Sequence, residues 1–309
     1  MELSLGMASV VVVRRRFFVG VAAMTACLAV AGDGSAASAR TSRDVSAYDG
    51  LGTWVSIYGT KAYTQPTTVA AEIAAKGVKT VYVQTGNFSQ AVDVVRPIQL
   101  GAFVDALHAS GLKVVAWYLP GFVHPAIDLR RALAAVRFTT QSGGRFDGFA
   151  LDIESAAVKR VAVRTRRVLA LSEQLRGAVG PDYALGAITP SARGMDIVKT
   201  YWPGFPFSEL AQIYDVFLPM DYWSFSVSGT DATYGYVARS LAILRAEIGN
   251  PGVPIHLVGG TTGKTRAADD QAFAQLVADD GQIAGWSLFD YFATKPAEWR
   301  VLRTIGTTP

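Results

Sequence analysis

The 309-residue chain has little cysteine, little charge and no long hydrophobic run, and each shortage excludes a class of protein. Its single cysteine, Cys27, leaves no pair that could form a disulfide framework or a thiolate metal site. Half of the residues are hydrophobic, only 17% are charged and the net charge is +4, which excludes an intrinsically disordered chain. No apolar run reaches the roughly 20 residues that cross a bilayer, so we expect no membrane span in the mature protein.

The pI of 9.1 alone would suit a nucleic-acid binder. The basic residues are instead spread over predicted helices, as in the segment 159–167, which is typical of a solvated helix surface. We expect no nucleic-acid partner. The three histidines, His108, His124 and His256, show no ligand spacing, so we expect neither a metal nor another cofactor.

The N-terminal segment has the pattern of an export signal. Arg14-Arg15-Arg16 precede a short apolar stretch, and Ala37-Ser38-Ala39 form a small-residue cleavage site. This pattern predicts a signal peptide over residues 1–39, and the arginines also fit a twin-arginine signal. We expect a secreted or cell-envelope protein, with a short polar lead over residues 40–50 and a single monomeric domain over residues 51–309.

The remaining chain alternates apolar strand-like runs with helix-like segments eight times. The predicted strands cover residues 52–59, 80–85, 113–120, 146–154, 184–189, 215–223, 255–260 and 283–290. Such alternation predicts an α/β fold with a parallel sheet, and eight units in about 260 residues match a closed (β/α)8 TIM barrel. A doubly wound open sheet is the alternative, but the sequence lacks the glycine-rich first turn that this fold usually carries.

The fourth predicted strand carries two acids on one face. The bulky side chains of residues 149, 151 and 153 lie on one face of the strand, and we expect this face to pack on the surrounding helices. Ala150, Asp152 and Glu154 lie on the other face and should therefore point into the barrel interior. Active sites of this fold lie at the carboxyl ends of the strands. Two neighbouring acids in a tight interior raise each other's pKa, as a general acid needs near neutral pH. The alternative is that arginines at the rim pair with both acids.

The segment Asp147-Gly148-Phe149-Ala150-Leu151-Asp152-Ile153-Glu154 resembles the fourth-strand signature D-G-x-D-x-D-x-E of the family 18 glycoside hydrolases, which are chitinase-like TIM barrels. Its Asp-x-Glu core also resembles that of the family 25 muramidases. The family 18 resemblance implies that Glu154 protonates the glycosidic oxygen. It implies that Asp152 orients the substrate's N-acetyl group, which acts as the nucleophile. Ala150 stands where the family has an inner aspartate.

Two later strands extend the resemblance. Met220-Asp221-Tyr222-Trp223 resembles the family's M-x-Y-D, which implies that Tyr222 hydrogen-bonds the acetamido group, although Trp223 replaces the aspartate. Asp221 has the opposite parity and reaches the site only if the strand has ended or bulged. Phe289 takes the place of the family's floor tryptophan, and Asp290 follows it.

Aromatic and amide side chains near strand ends are candidate sugar contacts. By parity we expect Tyr82, Gln84 and Tyr118 to point inward, opposite Tyr222. With Asp221, Trp223, Phe289 and Asp290 they form the expected substrate-binding set. The motif at residues 258–265 approximates a phosphate loop but lacks its leading glycine, so we interpret it as a loop with a coincidental Gly-Lys-Thr.

The predicted seventh strand ends without an acid, which excludes a two-carboxylate retaining mechanism across strands four and seven. Substrate assistance remains, or inversion with Asp221 or Asp290 as the base. The leading hypothesis is an exported glycosidase acting on an N-acetylated polysaccharide, chitin-like or peptidoglycan-like, with Glu154 and Asp152 as acid/base pair. The alternatives are a non-catalytic carbohydrate-binding barrel derived from a glycosidase and, third, an extracellular scaffold protein.

Overall fold

The computed structural model describes residues 43–261 and 264–305. The expected signal peptide, residues 1–39, lies outside the described residues. The strands are β1 (Gly50–Val55), β2 (Thr80–Asn87), β3 (Lys113–Leu119), β4 (Gly148–Asp152), β5 (Leu185–Pro190), β6 (Val216–Met220), β7 (Ile255–Thr261) and β8 (Ile283–Phe289). The helices are α1 (Thr60–Thr64), α2 (Pro66–Ala74), α3 (Pro97–Ala109), α4 (Pro125–Val136), α5 (Val161–Val179), α6 (Ala192–Ile197), α7 (Phe207–Leu210), α8 (Thr230–Ile248), α9 (Ala267–Asp280) and α10 (Pro296–Leu302).

The eight strands form one closed parallel barrel in sequence order. Each strand pairs with the next one, and β8 returns to β1, with Gly50 opposite Gly285. The TIM barrel prediction is therefore confirmed, and the open-sheet alternative is wrong. None of the helices in the described parts of the chain is both long enough and apolar enough to cross a membrane.

Local sequence explains where many helices begin and end. Helices α2, α3, α4 and α10 start at Pro66, Pro97, Pro125 and Pro296, because proline has a helix-compatible φ and lacks only an N–H that the first turn cannot use. Helix α8 ends at Ile248 and is followed by Gly249, whose left-handed φ of 68° is readily adopted by glycine.

The core has two layers, as the strand parity requires. The larger layer fills the space between strands and helices and contains Phe149 and Leu151 of β4. The smaller layer fills the barrel interior and contains Trp54 and Ala150. Residues of β4 thus alternate between the two layers, so the parity of a side chain decides whether it can reach the mouth of the barrel.

The floor of the barrel is closed by Tyr48, which is fully buried in a 3-10 turn at Ser46–Tyr48. Its hydroxyl donates to the backbone carbonyl oxygen of Phe149 at 2.9 Å. A Cβ at Gly148 would lie 3.0 Å from this hydroxyl, so glycine there leaves room for the ring. The end of the segment expected as a polar lead thus packs inside the barrel, and β1 already begins at Gly50.

A hydrogen-bonded chain runs upward from this floor through the buried His256. Its Nδ1 lies 2.8 Å from the carbonyl oxygen of Tyr48, which only accepts, so Nδ1 carries the proton. Its Nε2 then accepts from the Ser287 hydroxyl at 3.0 Å, and that hydroxyl accepts from Trp54 Nε1 at 2.9 Å. Burial lowers the pKa of His256 to about 4, so the histidine is neutral at pH 7. Through the Ser287 hydroxyl it helps to fix the position of the Trp54 ring.

Candidate active site

Strand β4 delivers two acids to the carboxyl end of the barrel. Asp152 is its last residue and is only 5% exposed, and Glu154 follows two positions later, half-buried. Burial raises the pKa of Asp152, and the charge of Glu154 raises it further. Burial also raises the pKa of Glu154. At least one of the two carboxyls therefore holds a proton at a higher pH than an ordinary carboxyl does.

Neither acid has a cationic partner within the described residues, where the ion pairs all involve other carboxylates. The alternative in which rim arginines neutralise both acids therefore finds no support. Asp152 Oδ1 is buried and accepts no hydrogen bond from the protein. A buried carboxyl oxygen without a partner is costly, so this position does not stabilise the fold and is typical of a functional site.

Tyr222, in the loop after β6, lies near enough to the two acids for their charges to act on its hydroxyl. Burial raises the pKa of its hydroxyl, and the charges of Glu154, Asp152 and Asp290 raise it further. These groups thus interact electrostatically at one end of the barrel, although the chain brings them there from three different strand ends. The tyrosine stays protonated at neutral pH and can donate a hydrogen bond to a ligand.

Phe289 is the last residue of β8 and lies beside Tyr222, and Asp290 follows it. The ring centroid of Phe289 lies 6.3 Å from that of Tyr222 and 6.3 Å from that of Trp54, so the three rings form a partly apolar wall. Asp290 Oδ1 accepts from the backbone N–H of Ala293 at 3.1 Å. Burial raises the pKa of Asp290.

Tyr201 also lies at the site, although strand parity does not predict it. It lies in the connection between α6 and α7, and its hydroxyl donates to the backbone carbonyl oxygen of Glu154. Burial, then the charges of Glu154 and Asp152, raise the pKa of Tyr201 to about 12. The irregular connection has no period that assigns side chains to a face, so the only sequence signal was the aromatic pair Tyr201-Trp202 itself.

The expectation that Tyr118 points inward is wrong. Its side chain lies in the layer between strands and helices, where its hydroxyl donates to Asp128 Oδ1 at 2.8 Å. The neighbouring Trp117 packs in the barrel interior instead. Both faces of β3 carry large apolar side chains, so hydrophobicity alone could not decide which face is inside. Tyr118 is removed from the candidate site.

Tyr82 and Gln84 do point into the barrel but are enclosed there. Tyr82 is fully buried, stacks on Trp54 at 4.3 Å, and places its hydroxyl 3.0 Å from His256 Nδ1. The Gln84 amide accepts from the backbone N–H of Ile57 at 3.1 Å and donates to the carbonyl oxygen of Gly86 at 3.4 Å. Both side chains are buried and their polar atoms are already hydrogen-bonded within the protein, so neither is a candidate sugar contact.

The placement of Asp221 and Trp223 at the site is also wrong. Strand β6 ends at Met220, and the next residue turns outward, so Asp221 is fully buried and accepts from the Ser240 hydroxyl of α8. Trp223 is fully buried too, with its ring 5.2 Å from that of Phe273 in α9. Both side chains lie between the barrel and its helices.

Asp147, which matches the first position of the fourth-strand motif, lies at the opposite end of the strand. It accepts from the backbone N–H of Val114 at 2.7 Å and lies 2.9 Å from His108 Nε2. Its role is therefore to anchor β4. Over the described parts of the chain, no group of three or more histidine, cysteine, aspartate or glutamate side chains could hold a metal ion.

Comparison with known proteins finds solved structures of similar fold. No protein-family model and no curated protein matches the chain. Among solved structures, the endo-1,4-beta-mannanase from Rhizomucor miehei is 10% identical, with 83% of this chain and 94% of that chain covered and a TM-score of 0.62. The chitinase from Chromobacterium violaceum is 12% identical, covering 84% and 100%, with a TM-score of 0.57. The spore cortex-lytic enzyme SleL from Bacillus cereus is 10% identical, covering 82% and 73%, with a TM-score of 0.59.

The barrel is similar to those of glycoside hydrolases. At these identities the similarity establishes the fold but not the activity, which depends on the side chains at the mouth of the barrel. The TIM barrel predicted from the sequence is thus the fold that these solved glycoside hydrolases share.

Proposed function

We propose that the chain is a glycoside hydrolase acting on an N-acetylated polysaccharide of the chitin or peptidoglycan type. The observation that carries this proposal is the pair of acids at the carboxyl end of β4, the buried Asp152 and the half-buried Glu154, which have no cationic partner among the described residues and lie near Tyr222. A chitinase and a spore cortex-lytic enzyme are among the proteins of similar fold, which favours such a polymer. A polymer of this kind lies outside the cytoplasm, in agreement with the expected export signal.

Glu154 is the proposed general acid. Because burial raises its pKa, its carboxyl remains protonated at a higher pH than a solvated glutamate and can transfer a proton to the glycosidic oxygen. The bond between that oxygen and the anomeric carbon then breaks, and the leaving sugar departs as an alcohol. The resulting carboxylate takes a proton from the water that completes hydrolysis, which returns Glu154 to its starting state.

Asp152 and Tyr222 are the proposed holders of the N-acetyl group. The Asp152 carboxyl, which has no cationic partner among the described residues, can accept from the acetamido N–H, and the Tyr222 hydroxyl can donate to the acetamido carbonyl oxygen. Held in this way, the carbonyl oxygen can attack the anomeric carbon as the leaving group departs. Water then opens the cyclic intermediate, so the sugar keeps its anomeric configuration.

An inverting mechanism would need a carboxylate base on the far side of the sugar ring. Asp221 does not qualify, because it is buried against the Ser240 hydroxyl of α8. Asp290 is the one remaining candidate among the two expected bases. The anomer of the first product, observed by NMR, separates the two mechanisms: retention supports substrate assistance and inversion supports Asp290.

The decisive experiment is Glu154→Gln on the purified protein with chitin and peptidoglycan oligosaccharides. We expect kcat to fall by about 10²–10⁴-fold because the acid is lost, while sugar binding and the circular-dichroism spectrum are retained. Glu247→Gln is the matched control, since Glu247 is an exposed residue of α8 and should leave kcat unchanged. Full activity in the Glu154 variant would refute the proposal.

A non-catalytic carbohydrate-binding barrel is the second candidate. Ala150 favours it, because its methyl group occupies the barrel interior where the family 18 pattern has an inner aspartate. In this case the wild-type chain binds N-acetylated oligosaccharides but releases no product over days. Calorimetry together with product analysis by mass spectrometry decides between the two functions.

A further inference from the structure

A lysine and an exposed phenylalanine form a pair at the mouth of the barrel. Lys264 follows β7 and Phe225 follows β6, and the Lys264 Nζ lies 4.4 Å from the ring centroid of Phe225. Phe225 is 61% exposed, and its centroid lies 6.1 Å from that of Tyr222. The pair therefore continues the row of rings from Phe289 and Tyr222 outward into solvent.

The same end of the barrel carries further exposed cations. The loops after β4, β7 and β8 present Lys159, Arg160, Arg266 and Lys295. Neither these residues nor Lys264 form an ion pair with a carboxylate in the parts of the chain that the structure describes. Asp152 and Glu154 are recessed, whereas the carboxylate of Asp231 in the first turn of α8 is exposed at this end. The exposed cations in these loops outnumber that single exposed carboxylate, and such an excess of positive charge concentrates anions near the mouth.

We propose that the site takes glycans that bear carboxylate groups, and that Lys264 and Phe225 form the subsite for the carboxylate-bearing sugar. The inference rests on the proposed function, since it places this subsite beside the residues assigned to hydrolysis. The Phe225 ring offers an apolar surface to the C–H face of a sugar, while the ammonium group pairs with the carboxylate. No described residue gives Lys264 a structural ion-pair partner, and its burial is low, so a structural salt bridge does not explain its position.

Two kinds of sugar supply this chemistry. In a uronic acid the carboxylate carbon is attached directly to the sugar ring, whereas in a muramic acid the carboxylate belongs to a lactyl group joined to the ring by an ether bond. Three soluble oligosaccharides of equal length separate them: one neutral and N-acetylated, one with uronic acid residues, and one with lactyl ethers. The measured quantity is kcat/KM of the wild-type protein and of Lys264→Glu for each oligosaccharide.

We expect the wild-type protein to prefer one of the two carboxylated oligosaccharides over the neutral one. Lys264→Glu should lower kcat/KM for that substrate about tenfold, because an attraction becomes a repulsion, and should lower kcat/KM for the neutral substrate by a clearly smaller factor. Raising the salt concentration from about 50 to about 500 mM should reduce the wild-type preference. Lys79→Glu is the matched control, because Lys79 precedes β2 and is exposed at the opposite end of the barrel.

Equal turnover of neutral and carboxylated substrates by both the wild type and Lys264→Glu would overturn this inference and leave the proposed hydrolase intact. If no oligosaccharide is cleaved, the proposed function fails, and calorimetric binding of the same three compounds tests the inference by itself. A carboxylate preference that Lys264→Glu abolishes supports it. Absence of any preference in binding overturns it.

Discussion

The Tyr201 hydroxyl donates a hydrogen bond to the backbone carbonyl oxygen of Glu154, across 47 positions of sequence. The Arg164 guanidinium lies over the Tyr201 ring, 5.7 Å from its centroid, and over the Trp202 ring at 4.0 Å. Arg164 also donates to the backbone carbonyl oxygen of Tyr201. Helix α5 thus holds Tyr201, and Tyr201 holds the backbone of the proposed acid, so Tyr201 is a positioning residue.

The first prediction concerns Tyr201→Phe. Loss of the hydroxyl frees the backbone at Glu154, so we expect kcat to fall roughly tenfold because the acid is misplaced, with KM nearly unchanged. The alkaline limb of the pH profile of kcat should also shift, because the environment of the Glu154 carboxyl changes. Steady-state kinetics between pH 4 and pH 9 on the substrates named above provides the measurement.

Tyr183→Phe is the control for this substitution. The Tyr183 hydroxyl is buried but has no hydrogen-bond partner in the protein, so its removal should change neither kcat nor the pH profile. If Tyr201→Phe lowers only the thermal midpoint and leaves kcat and the pH profile at wild-type values, the positioning role is wrong.

The second prediction concerns stability against pH at Asp221. Burial raises the pKa of this carboxyl to about 7, although hydrogen bonds with the Ser240 and Ser191 hydroxyls partly lower it. Between the ordinary pKa of 3.8 and about 7, the folded state keeps a proton that the unfolded state has lost. The free energy of unfolding contributed by Asp221 is therefore greatest below pH 4 and is lost as the pH rises to about 7.

Asp221→Asn removes this titration. The difference in unfolding free energy, variant minus wild type, should become more positive by roughly 1 kcal/mol per pH unit between pH 4 and pH 7 and level off above. Urea denaturation at several pH values measures it. Asp182→Asn is the control, because Asp182 is exposed. A constant difference for Asp221→Asn across this range would contradict the prediction.

The third prediction concerns Gly285 on β8. A Cβ at this position would lie 2.1 Å from His256 Nδ1 and 2.3 Å from the carbonyl oxygen of Tyr48. Both contacts are well inside van der Waals distance, and one involves backbone, so relief requires movement of the barrel floor. We expect Gly285→Ala to lower the free energy of unfolding by about 3 kcal/mol or to prevent folding.

Gly177→Ala is the matched control for the same chemical change. Gly177 lies in α5, and a Cβ there meets no atom within 4 Å. Alanine should therefore stabilise the protein by roughly 0.5–1 kcal/mol through its higher helix propensity. Thermal or urea denaturation compares the two variants, and equal effects of both would show that the floor of the barrel is not packed as described.

The sequence by itself determined the eight-fold repeat and the element boundaries to within a few residues. The reason is that strand-like runs, prolines at helix starts and glycines at helix ends are local signals. Strand parity also predicted Asp152 on the interior face of β4, because the bulky Phe149 and Leu151 on the other face pack between the strands and the helices.

Only the tertiary structure decided which way a side chain points where the local sequence pattern is ambiguous. Both faces of β3 are apolar, so packing alone chose Trp117 for the interior and Tyr118 for the helix side. Asp221 follows the end of β6, where strand parity no longer applies, and the turn sends it to α8. Tyr201 reaches Glu154 through an irregular connection, and a long-range contact of this kind depends on how the closed barrel brings distant segments together.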